Sequence, residues 1–155
     1  MNRLDPRVQL IWVGSAAVSA LVVGGILFAV VRVFSPPFVP AWTPYAVAGG
    51  LFVLGALLAV ARYRAWGYEV RDDSLYLERG VFTQVRTVVP FVRIQHVDSS
   101  RGPLERVVGL ASTVVYTAGS RGADVAVPGL AGDGADELRE RLKRLAIRSE
   151  GDDAV

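Results

Sequence analysis

The residues with chemistry to offer are few. His96 is the single histidine of the 155-residue chain. It stands in Gln95-His96-Val97-Asp98, with an amide and a carboxylate close by in sequence. Such a setting suits proton transfer or part of a metal site. A metal site needs three or four converging ligands, and a nucleophile–base pair needs a serine in a geometry that sequence does not reveal. The plainer account of His96 is a partly buried residue at a strand end, hydrogen-bonded to a turn. Gly102 and Gly109 come without the Gly-Lys-Ser/Thr of a phosphate loop or the spacing of a dinucleotide fingerprint. The chain has no cysteine, which removes thiol catalysis, disulfides and cysteine-ligated metals together. No catalytic residue, metal or cofactor is expected, and the chain reads as non-enzymatic.

The other chemistry is charge. Arg79, Arg86, Arg93, Arg101 and Arg106 are opposed between Arg79 and Arg106 only by Asp98 and Glu105, and these five form the candidate interaction surface. One use of such a surface is contact with anionic headgroups of an inner leaflet. The use ranked higher is a protein-interaction module, because small sheets leave edges and grooves where a partner strand or helix can dock. The plainer account is a solvated face with local ion pairs. Nucleic acid is not expected. Of 17 basic and 15 acidic side chains, Arg3, Arg7, Arg32 and Asp5 precede Arg62, leaving the remainder of the chain neutral.

The elements that must position these residues begin with two apolar runs. Val8 to Val31 carries no charge and spans roughly 36 Å at about 1.5 Å per residue, enough to cross a bilayer with some tilt. Tyr45 to Ala61 is also uncharged and lies at the short end of the spanning range, about 17 residues. The first run is too long for a signal-peptide core and leads into a second apolar run. Residues 1–65 are therefore expected to form a transmembrane hairpin, with spans at about 8–31 and 45–61. Ala16, Ala20 and Gly24 in the first helix, and Ala46 with Gly50 in the second, recur every four residues, a spacing that lets backbones approach. Arg3, Arg7, Arg62 and Arg64 flank the outer ends of the hairpin. By the positive-inside rule this places both termini in the cytoplasm of a bacterial plasma (inner) membrane. Trp42, Arg62, Tyr63, Arg64 and Trp66 are the expected interface anchors.

From Trp66 the period changes to alternation. Trp66, Tyr68 and Val70 fall on one face, and Asp72-Asp73-Ser74 offers a turn before Leu75 and Leu77. Further strands are expected over Val81–Val89, Arg93–Val97, Ser112–Thr117 and Asp124–Val127, with a turn at Gly119–Gly122 and a loop or single helical turn at Leu104–Leu110. Ala135, Leu138, Leu142 and Leu145 then make a helical stripe behind an N-cap at Asp133. Residues 66–148 form one small domain, and 149–155 an acidic, disordered tail.

Val89-Pro90, Arg93-Ile94-Gln95-His96-Val97, Arg101-Gly102-Pro103-Leu104-Glu105-Arg106, Gly109-Leu110-Ala111 and Thr117-Ala118-Gly119 resemble, in that order and spacing, the membrane-flanked bacterial pleckstrin-homology-like (bacterial PH) domain. Two spans followed by one such domain are similar to its small YdbS-like members. The resemblance implies two roughly orthogonal antiparallel sheets capped by a C-terminal helix. It implies no enzymatic activity and no defined ligand. The chain has one lysine, Lys143, and so lacks the lysine cluster that cradles inositol phosphates in eukaryotic relatives. The reading is a membrane-anchored, cytoplasm-facing scaffold that binds a protein partner, such as another PH-like membrane protein, with anionic lipid as the alternative.

Overall fold

The computed structural model describes residues 1–34, 36–119 and 124–152. It forms two compact units, residues 9–61 and residues 1–8 together with 62–155.

The first unit holds most of α1 (Val8–Phe34) and α2 (Thr43–Ala65), both long and apolar enough to cross a membrane. Each helix continues beyond its uncharged run, because a helix tolerates Arg32, or Arg62 and Arg64, in its last turn, where cations face the negative end of the dipole. Pro44 lies inside the first turn of α2, where its missing N–H is one that has no intrahelical partner anyway. The small residues of α1 work as expected: a β carbon on Gly24 would come 2.7 Å from Cβ of Ala48, and one on Gly55 would come 2.5 Å from Cβ of Ala16. In α2 the packing residues are thus Ala48 and Gly55. Ala46 is exposed and Gly50 faces open space. Four-residue spacing marks a stripe, but it does not say which of several small-residue stripes meets the neighbour.

The second unit contains β1 (Gly67–Val70), β2 (Ser74–Arg79) and β3 (Val85–Pro90) in one antiparallel sheet. A second sheet holds β4 (Ile94–Ser100), β5 (Leu110–Thr117) and β6 (Val125–Ala131), in that order. The six-residue α3 (Pro103–Val108) links β4 to β5, and α4 (Gly132–Asp152) closes the chain. This is the expected pair of antiparallel sheets with a C-terminal helix. The sheets join through a 3-10 turn at Phe91–Arg93, where Phe91 is fully buried.

Register explains the core. Leu75 and Leu77 lie opposite Val70 and Tyr68 on one side and Val89 and Thr87 on the other, so the middle of one face of the first sheet is mainly apolar. Leu110, Ala111, Val115 and Val127 do the same in the second sheet, where α4 lays down Ala135, Leu138, Leu142 and Ala146. Ala146 takes the buried place expected of Leu145, which is half-buried. Thr113, wholly buried, donates to the carbonyl of Ala135 at 3.1 Å and docks the first turn of the helix.

Several boundaries move. β3 starts at Val85 because Gly80, at φ 111°, opens a turn that occupies residues 81–84. β4 absorbs Ser99 and Ser100, and Gly109, at φ 72°, ends α3. Helix α4 begins at Gly132, so Asp133 sits in its first turn rather than capping it. The segment expected to be a disordered tail is helical as far as Asp152, and residues 153–155 lie outside the described residues. So does most of the expected turn at 119–122, residues 120–122.

The largest departure is at the start of the chain. Residues 1–8 belong with the sheets rather than with a hairpin of residues 1–65. Asn2 exchanges both backbone hydrogen bonds with Tyr68, at 2.7 and 3.0 Å, and so covers the outer edge of β1. Leu4 and Val8 are each 2% exposed. The N–H of Asp5 donates to the Gly129 carbonyl at 2.8 Å, and Tyr63 Oη donates to the Leu4 carbonyl at 3.2 Å. Arg7 clamps the strap by donating Nη1 to the Val108 carbonyl at 3.1 Å and Nε and Nη2 to the two oxygens of Asp5 at 3.0 Å each.

These Arg7 hydrogen bonds hold the Asp5 carboxyl below the usual carboxylate range. A depressed folded-state pKa contributes stability that is present above the unfolded value, about 3.9, and is lost as pH falls through the folded value. Asp5→Asn is therefore expected to lower the thermal midpoint of the detergent-solubilised chain near neutral pH and to flatten its fall below about pH 4. A melting series from pH 7 downwards on both proteins checks this.

Candidate functional site

Among the described residues, β4 is an edge strand that pairs with β5 alone. Between its other edge and α4 runs a groove of about 470 Å³. Its β4 wall comes from residues 94–98 and its helical wall includes Lys143, Ala146, Ile147 and Glu150. The floor is apolar, with Ile94 and Ala146 buried, while Ile147 stands 60% exposed at the rim. α4 sits beside the strand because Leu138 and Leu142 turn inward, and one turn further along the same helix Lys143 and Ile147 fall on the flank nearest β4.

β4 has an extra residue at its start. Ile94 pairs with Thr117 but His96 pairs with Tyr116, so Gln95 is bulged. Beyond the bulge the strand is regular, and His96 and Asp98 lie on one face with Tyr116 and Val114. His96 Nε2 is 3.4 Å from Asp98 Oδ2, and its ring meets the Tyr116 ring edge-on at 5.4 Å. Both side chains are more than half exposed, so His96 is a surface residue of the groove and not the partly buried strand-end residue expected. Among the described residues no group of three or more His, Cys, Asp or Glu side chains stands close enough to hold a metal ion. The groove mixes signs, with Asp98, Glu140 and Glu150 against Arg139 and Lys143, and Arg139 is neutralised by Asp136 at 3.9 Å and Glu140 at 3.2 Å. Such a surface has no strong pull on either kind of ion. It offers an open strand edge over an apolar floor.

The five arginines do not come together. Arg79 shares the inner face of the first sheet with Leu75 and Leu77, while Arg86, opposite Glu78, lies on the outer face and pairs with it at 3.4 Å. Arg93 and Arg101 flank β4 at opposite ends, roughly 23 Å apart for seven extended residues. Arg101 pairs with Asp136 at 3.3 Å, and Arg106 is exposed on α3. Recurrence every five to eight residues along a chain that passes through β2, β3, the 3-10 turn, β4 and α3 does not make a face. Of the expected interface anchors, Trp42 is 65% exposed, and Arg62 and Arg64 are exposed at the end of α2. Trp66 is corrected: it is 5% exposed and belongs to the core, as the strand alternation that put it beside Tyr68 would also have it. Tyr63 is half-buried and spends its hydroxyl on Leu4. The groove residues on α4 were missed because, in sequence, Lys143 and Ile147 look like ordinary positions on the polar side of an amphipathic helix.

The family model described as Bacterial PH domain matches residues 8–146. The UPF0699 transmembrane protein YdbS of Bacillus subtilis (strain 168) is 35% identical over 118 residues, which cover 73% of this chain and 72% of that protein. The UPF0699 transmembrane protein YdbT of the same organism is 24% identical over 106 residues, 67% of this chain but only 22% of the longer relative. No solved structure matches the chain.

Proposed function

The chain belongs to the bacterial PH domain family, and from that premise we propose that it is a non-enzymatic, membrane-anchored protein-binding module whose β4–α4 groove receives an extended segment of another membrane protein. The observation that carries this reading is the open edge of β4 beside an apolar floor. An added strand would satisfy backbone groups along β4 and set alternate side chains against Ile94, Ala146 and Ile147. The Gln95 bulge and the charge of Asp98 discourage indiscriminate pairing at that edge and leave a short, specific register. Partners of the same architecture, with a PH-like domain held at the same surface, are the class best placed to reach it. Two spans confine both molecules to one plane, which raises their effective concentration without further contact area. Arg3, Arg7, Arg62 and Arg64 at the outer ends of the two spans support a cytoplasmic position for the domain at a bacterial plasma membrane.

Because Ile147 is exposed, Ile147→Asp is expected to leave stability within about 0.5 kcal/mol of the parent. It is expected to reduce recovery of the partner from mild detergent extracts about tenfold, the effect of one rim anchor in a strand-docking groove. Equal recovery by parent and variant would remove the groove from the account.

A further inference from the structure

The tip of the β2–β3 hairpin is apolar and open: Val81 and Phe82 keep 41% and 88% of their surface exposed. Strand register fixes where this tip lies. α2 ends at Ala65, β1 begins at Gly67, and Gly67 pairs with Glu78 near the end of β2. Since β2 runs antiparallel to β1, the chain beyond Glu78 travels back toward the level at which it left α2. The turn over residues 80–84 therefore projects past Gly67 by roughly 10 Å at about 3.3 Å per residue.

Beside this turn lies a cleft of about 350 Å³ lined by Arg3, Arg64, Trp66, Glu78 and Gln84, among others. Its carboxylate is already engaged, since Glu78 accepts from Gln84 and pairs with Arg86 at 3.4 Å. The neighbouring Glu69 is held by Arg71 at 3.3 Å and by the N-terminal ammonium at 3.5 Å. Those two cations keep its pKa below the usual range. Arg3 and Arg64, by contrast, have no ion-pair partner among the described residues. Two unneutralised guanidiniums in one cleft, at the point where the chain leaves its membrane span, call for an anion, and an exposed phenylalanine on the turn that lends Gln84 to the cleft wall calls for an apolar neighbour.

We infer that this hairpin tip and cleft are a foot on the membrane: Val81 and Phe82 enter the headgroup layer of the bilayer that α2 crosses, and Arg3 and Arg64 hold the phosphate of an anionic phospholipid. Aromatic and aliphatic side chains that dip into an interface beside basic ones form a recurrent means of surface attachment. The foot would fix the height and tilt of the domain. It is separate from the β4–α4 groove and stands whether or not that groove binds a protein strand.

The chain contains no cysteine, so Phe82→Cys carries a nitroxide at one site, and Asp72→Cys, in the turn at the far end of β1 and β2, serves as the aqueous reference. The full chain is placed in vesicles of phosphatidylcholine with phosphatidylglycerol, and in phosphatidylcholine alone. Collision with oxygen relative to an aqueous nickel chelate is expected to be several-fold greater at 82 than at 72 in the anionic vesicles. That ratio should fall toward the reference value in neutral vesicles, and also when Arg3→Gln and Arg64→Gln are combined. An aqueous signature at 82, equal immersion with and without anionic lipid, or protection from both reagents as against a protein surface would each overturn the inference.

Discussion

Gly129→Ala is expected to destabilise the chain by about 2–5 kcal/mol, combining a left-handed backbone strain of about 1–2 kcal/mol with overpacking of about 1–3 kcal/mol. Gly129 lies at φ 62° in β6, where an extra residue interrupts the pairing with β5 between Leu130 and Val127. A β carbon there would come within 2.6 Å of Cβ of Val8, against which the backbone packs directly. The N-terminal strap would have to lift, exposing Leu4 and loosening the clamp between Arg7 and Val108. Trimming the neighbour does not restore the fit: Val8→Ala keeps the β carbon that conflicts, so the double variant is expected to stay destabilised. Thermal unfolding in detergent, read alongside protease cleavage within the first eight residues, checks both statements. A parent-like midpoint for Gly129→Ala would mean that the strap is not part of the folded domain.

Phe91→Ala is expected to cost about 3–5 kcal/mol, the range for deleting a buried aromatic side chain. Phe91 is 1% exposed in the 3-10 turn between the sheets, and its N–H donates to the Asp73 carbonyl at 3.0 Å, so a single residue ties the β1–β2 turn to the corner. Loss of its ring would open a cavity where the two sheets meet the closing helix. By the same ledger Val92→Ala, next to it and 48% exposed, should change stability by less than about 1 kcal/mol. The pair separates burial at the corner from any general sensitivity of the 3-10 turn, and denaturant midpoints of the two variants make the comparison.

The parts of this molecule that were legible in its sequence are those whose physics is local. Uncharged runs announced both helices that can cross a membrane, alternation announced β1 and β2 with Leu75 and Leu77 inward, and a stripe at three- and four-residue spacing announced α4. Only the structure shows that Gly80 delays β3 from the expected Val81 to Val85. What was hidden is non-local. The strap over residues 1–8 is short, partly charged and without periodicity, and its strand partner Tyr68 lies far along the chain. Trp66 beside two arginines looked like an interface residue, but it is claimed by the core because it continues the inner face of β1. The arginines of residues 79–106 formed a patch only while the chain was read as a line, since Arg79 and Arg86 occupy opposite faces of one sheet. The candidate groove needed two elements far apart in sequence, β4 and α4, and neither wall has a composition that would mark it alone.

The most direct test of the strand-docking account is site-specific photocrosslinking in native membranes, followed by mass spectrometry of the linked peptides. A photoreactive residue at Gln95 and another at Ile147 sample the two walls of the groove, and one at Arg86, on the outer face of the first sheet, samples a surface that the account leaves bare. The account predicts one protein adduct shared by the two groove positions, with the link falling in a single extended segment of a membrane protein, and no such adduct from Arg86. Lipid adducts alone from the groove, or the same protein adduct from all three positions, would contradict it.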